Sequence, residues 1–89
     1  MPPCLGYIVQ VRDEEDYTPY RGFLRIHRHF SAALQHAQEL YRSYLELHQE
    51  AYEGPFEAQN PSKKQCDDAG SVLVFRSRDC WIWIDGVVE

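Results

Sequence analysis

The segment Cys80-Trp81-Ile82-Trp83-Ile84 constrains this chain more than any other, because it is bulky and apolar on both sides of a strand. Successive residues of a strand point to opposite faces, so Trp81 and Trp83 project one way and Ile82 and Ile84 the other. A sheet with one solvated face shows apolar residues alternating with polar ones. Here both faces ask for cover.

Only one long segment has the period of a helix that could supply it. From Ser31 onward, Ala33, Leu34, Ala37, Tyr41, Tyr44, Leu45, His48 and Tyr52 recur every three or four residues, while Gln35, Gln38, Glu39, Arg42, Glu46, Gln49, Glu50 and Glu53 fill the other side. Ser31 is the expected N-cap and Gly54-Pro55 the expected stop. About 22 residues at 1.5 Å each make a helix of roughly 33 Å, long enough to cross a four-stranded sheet.

The strands follow from alternation. Leu5, Tyr7, Val9 and Val11 share one parity against Gly6, Ile8 and Gln10. The acidic run Asp13 to Asp16 and Tyr17-Thr18-Pro19 end that strand in a solvated turn. A second strand is expected around Arg21 to Arg28. Ser71 to Ser77 and Cys80 to Val88 read as a hairpin joined across Arg78-Asp79. Gly54 to Gly70, with two prolines, two lysines and one large apolar residue, Phe56, reads as a single long loop.

These elements predict one small α+β domain over residues 1–89. Its expected form is a four-stranded, mostly antiparallel sheet in β-β-α-β-β order, with the one amphipathic helix packed on one face. Leu5, Tyr7, Val9, Val11, Leu24, Ile26, Leu73, Phe75, Ile82 and Ile84 are then expected against the helix. The other face would carry Ile8, Phe23, Arg25, His27, Val72, Val74, Arg76, Trp81 and Trp83. Aromatics and arginines mixed with aliphatics are the composition of a contact surface rather than of a solvated one.

Composition narrows the classes of function. A chain of 89 residues with 44 % hydrophobic content has enough apolar material for one core and no more. Its net charge of -5 argues against general attraction to nucleic acid or to an anionic membrane. No apolar run is long enough to span a bilayer, and Met1 to Gly6 lacks the features of a secretory signal. Cys4, Cys66 and Cys80 are odd in number and widely spaced, which suits reduced thiols. An intracellular, cytoplasmic location is therefore expected.

The leading expectation is a protein-protein interaction or binding module that self-associates as a homodimer through Trp81, Trp83, Phe23, Arg25, His27, Val72, Val74 and Arg76. Two tryptophans carry roughly 300–500 Å² of side chain. Full burial of that surface is worth on the order of 7–12 kcal/mol gross, against several kcal/mol of lost freedom. One alternative is that the long loop and C-terminal residues cover the tryptophans within the same chain. A small enzyme or ligand-binding protein with an aromatic pocket at that face, or between subunits, is another.

A third alternative is a single-stranded nucleic-acid platform, with bases on the tryptophans and phosphates on Arg25, Arg28, Arg76 and Arg78. The acidic balance and the lack of a glycine-aromatic RNA-binding signature weigh against it. For metal, His27 and His29 with Cys66, Cys80 or Asp67 are the residues to consider, although their spacing matches no metal motif. For proton transfer the candidates are His27, His29, His48, the helix tyrosines and Asp85, which shares the tryptophan parity. No phosphate loop, nucleophile elbow or catalytic triad is present, and no motif calls for a cofactor.

Overall fold

A computed structural model of the chain describes residues 4–13, 26–47, 56–78 and 80–88. In chain order these form β1 (Cys4–Asp13), β2 (Ile26–His27), α1 (Phe30–Leu47), β3 (Glu57–Ala58), α2 (Lys63–Ala69), β4 (Ser71–Arg76) and β5 (Cys80–Val88). The strands make one sheet in the order β2-β1-β5-β4-β3, every neighbour antiparallel.

The α+β class and the antiparallel sheet with a helix on it agree with the sequence expectation. Strand number and order do not. The sheet has five strands rather than four, and the element order is β-β-α-β-α-β-β. Both additions come from the segment 54–70, expected as a single loop. Ser62 accepts a hydrogen bond from the Gln65 amide, the Gln65 side chain accepts from the Ser62 amide, and Gly70 closes α2 in the left-handed conformation at φ 86°. That reciprocal capping box starts a helix despite the polar composition. Its single buried residue is Cys66.

The central pair is β1 with β5, in register from Gly6 opposite Val87 to Asp13 opposite Cys80, with Cys4 opposite Val88 beyond a register shift. Tyr7, Val9, Ile82 and Ile84 point from it into the core and are almost fully buried. α1 lays Phe30, Ala33, Ala37, Tyr44 and Leu45 on this face, with Leu34, Leu40 and Tyr41 at the margin. Phe30 meets Tyr7 edge-on at 5.4 Å between ring centroids, and Tyr41 stacks on Phe75 at 5.2 Å. The helix begins at Phe30, with the His29 carbonyl accepting from the Ala32 and Ala33 amides. Ser31 therefore lies inside the first turn and is not the N-cap. His48, Tyr52 and Gly54-Pro55 lie outside the described residues.

α2 sits on the same side of the sheet. Cys66 joins the core with its thiol directed at the Ile84 carbonyl at 3.8 Å, and the Tyr7 hydroxyl donates to Asp67 at 2.7 Å. The Gly86 amide donates to the Gly70 carbonyl at 2.9 Å, tying the end of α2 to β5. β4 and β5 pair as the expected antiparallel hairpin, with Ser77 bonded to Cys80 at its closed end; Asp79 lies outside the described residues. The Ser77 amide donates to the Cys80 carbonyl and the Cys80 amide to the Ser77 hydroxyl, at 2.8 and 3.2 Å.

Two register features change which residues face the helices. In β4 the pairing shifts between Leu73 and Phe75, so that Val72 opposes Ile84, Leu73 opposes Trp83 and Phe75 opposes Ile82. Val74 is the extra residue of this bulge, and it is fully buried. Val72 and Val74 thus belong to the helix side, contrary to the strict alternation expected, and Leu73 belongs with Trp83. In β2, His27 opposes Tyr7 and Ile26 opposes Ile8, the reverse of the expected parity. A one-residue slip exchanges the two faces. Leu5, expected in the core, is 56 % exposed next to the register shift at Cys4 and Gly6.

Candidate interaction surface

The face turned away from α1 and α2 can be read strand by strand from the register. Gln10, Trp83 and Leu73 form its middle row across β1, β5 and β4. On one side of that row lie Arg12, Trp81, Arg76 and Glu57, across β1, β5, β4 and β3. On the other lie Ile26, Ile8, Asp85 and Ser71, across β2, β1, β5 and β4, with Gly6 and Val87 beyond them. Among the described residues, no helix covers this face.

The arrangement is apolar in the centre, with arginines and Glu57 at one end and Asp85 at the other. Trp81, Trp83, Leu73 and Ile8 are each half-buried by their neighbours in the sheet, while Ile26 is 60 % exposed. The Arg12 guanidinium carbon lies 5.8 Å from the centre of the Trp81 ring, within the range of a cation–π contact. Arg76 donates to Glu57 at 3.3 Å, an exposed pair. Such a pair adds little stability, but it offsets one positive charge of its row. Asp85, half-buried and two residues beyond Trp83 on the same face, makes no side-chain hydrogen bond or ion pair among the described residues.

An open depression of about 360 Å³ is bounded by Arg12, Ser71, Val72, Leu73, Trp81 and Trp83. Sites that enclose small molecules run from about 300 to 1,000 Å³ and bury most of the ligand. A hollow at the lower end of that range, open along one side, offers a shallow seat.

Of the residues expected on this face, Trp81, Trp83 and Arg76 are together on it. His27, Val72 and Val74 are directed to the helix side. His27 instead meets His36 of α1, one ring nitrogen donating to the other across 2.9 Å between Nε2 and Nδ1. Phe23 and Arg25 lie outside the described residues. Leu73, Ile26 and Arg12 complete the surface and were not expected there. Arg12 had a signal, since it continues the parity of Ile8 and Gln10 by one further step. Leu73 had none, because a bulge leaves no local mark in a run of valines and leucine.

The residues considered for metal do not converge. Among the described residues no three His, Cys, Asp or Glu side chains form a cluster suited to an ion. Cys66 and Cys80 are in no disulfide and are enclosed in the core. No described helix is long and apolar enough to cross a membrane. Protein-family models, curated proteins and solved structures give no match to this chain.

Proposed function

We propose that the chain is an interaction module that self-associates through the sheet face opposite its helices. The observation that carries this reading is the contiguous set Trp81, Trp83, Leu73, Ile8 and Ile26, which neither helix covers. Isolated surface hydrophobics are ordinary, but a contiguous apolar patch on a small domain marks a place of contact. Tryptophan and arginine at the centre of such a patch are the residue types that dominate binding energy.

A ligand site at the same face is the second reading, favoured by the depression beside Arg12 and Trp81. Its shallow form fits the edge of a larger contact better than an enclosed substrate. Single-strand binding is weakened further by Arg76, whose charge Glu57 already engages.

Mass by multi-angle light scattering over a dilution series tests the proposal. The native chain is expected to run as a dimer, and Trp83→Glu as a monomer with an unchanged far-ultraviolet spectrum. A native chain that is monomeric at every concentration would overturn self-association. Loss of folded structure in Trp83→Glu would assign Trp83 to the internal core instead.

A further inference from the structure

We infer that two copies pair face to face with their strands antiparallel, so that the Arg12 and Arg76 end of one copy covers the Asp85 end of the other. This rests on the proposed self-association and specifies its geometry. A twofold contact uses the same surface on both partners, so that surface must complement itself after rotation. The three rows that carry its charged residues and tryptophans leave two simple choices of axis within the plane of contact.

An axis along the strands would lay each row on its own copy. The net positive row would then face a net positive row, and the row that holds Asp85 would face its own copy. Like charges brought together in a desolvated contact oppose association. An axis across the strands, along Gln10, Trp83 and Leu73, keeps that apolar row on itself and exchanges the outer two. The outer row of Arg12, Trp81, Arg76 and Glu57 carries a net single positive charge, and the row of Ile26, Ile8, Asp85 and Ser71 a single negative one. Exchange therefore sets opposite charges against each other at both ends.

Two further observations support this choice. Arg12 has only the Trp81 ring as a partner, and Asp85 has no charged partner among the described residues. Each keeps its charge unmatched among the described residues. The aliphatic pair Ile8 and Ile26, adjacent across β1 and β2, offers an apolar seat to the ring and stem of the Trp81 and Arg12 row.

The dissociation constant of the full chain, measured by sedimentation at low salt, tests the inference. Asp85→Asn is expected to weaken the dimer about two- to tenfold, as loss of an interfacial charge partner does. An axis along the strands predicts the opposite, since removing a carboxylate from each of two facing rows would tighten it. Asp85→Arg alone and Arg12→Asp/Arg76→Asp alone are expected to be monomeric at concentrations where the native chain is dimeric. An equimolar mixture of the two should regain the dimer mass. An unchanged or tighter Asp85→Asn dimer, or a mixture that stays monomeric, would overturn the antiparallel arrangement while leaving self-association intact. A monomeric native chain would overturn the reading beneath it. Folding is checked by far-ultraviolet circular dichroism, and the isosteric Asp85→Asn keeps the test decisive if the reversals fail to fold.

Discussion

Gly6 and Asp67 show how single atoms hold distant parts of the chain together. A Cβ built on Gly6 would lie 2.8 Å from the His27 carbonyl oxygen and 2.8 Å from Ile26 Cγ2. One of those neighbours is backbone and cannot rotate away. Gly6→Ala is expected to push β2 off β1 and to destabilise the fold by about 1–3 kcal/mol, the usual cost of overpacking. Chemical denaturation measures it, and a variant as stable as the native chain would contradict the close approach.

Asp67 accepts from Lys63 at 2.6 Å and from the buried Tyr7 hydroxyl at 2.7 Å. The hydrogen bond from Lys63, then that from Tyr7, holds its carboxyl below the usual carboxylate range; the Lys63 charge also lowers it, and partial desolvation opposes them. A carboxyl depressed in the folded state binds fewer protons there than in the unfolded chain. Its stabilising contribution is complete above the unfolded pKa of about 3.9 and disappears as pH falls through the lower folded value. Asp67→Asn, which keeps an acceptor for Tyr7, should flatten the acid limb of a stability profile measured below about pH 4. An unchanged acid limb would show that Asp67 carries no such linkage.

At the scale of elements, α2 is the part that hydrophobic period could not reveal. Seven residues with one buried side chain have no apolar stripe, so only the end signals, Ser62 with Gln65 and the terminal Gly70, mark it. Ser62→Ala removes the acceptor for the Gln65 amide and is expected to cost about 1 kcal/mol. A urea midpoint that does not move would show that the contacts of Cys66, Asp67 and Gly70 hold α2 in place without the cap. β3, two residues long, is too short to carry any alternation, and so are the two described residues of β2. Their pairing is decided by what lies beside them. His27 turns inward to reach His36, and Glu57 reaches Arg76 across the outer face.

In the molecule as a whole, the parts legible in the sequence are those with a long, uninterrupted local period. α1, the core parity of Tyr7 and Val9, and the two faces of Cys80 to Ile84 follow from spacing alone, and together they give the class of fold. The candidate surface was legible as far as its tryptophans and Arg76. It failed at Val72, Val74 and His27, where a bulge and a one-residue choice of register reverse the faces, because both are settled by packing across the sheet. The proposed dimer belongs to this scale too. A lone copy leaves both indoles half-exposed, and the mass of the native chain against Trp83→Glu reports whether a second copy covers them.

The strands at the centre of the sheet, β1 and β5, come from nearly opposite ends of the sequence. Almost the whole chain must therefore be looped back before its longest ladder can close, and closing such a loop costs entropy before any contact repays it. During synthesis β1 would leave the ribosome with both its outer neighbour β2 and α1 available, yet without the strand that carries Ile82 and Ile84. The core then has one wall missing until β5 emerges. Folding of this domain is in that sense a late event: α1 can coil early, but its apolar stripe finds its seat only when β5 arrives.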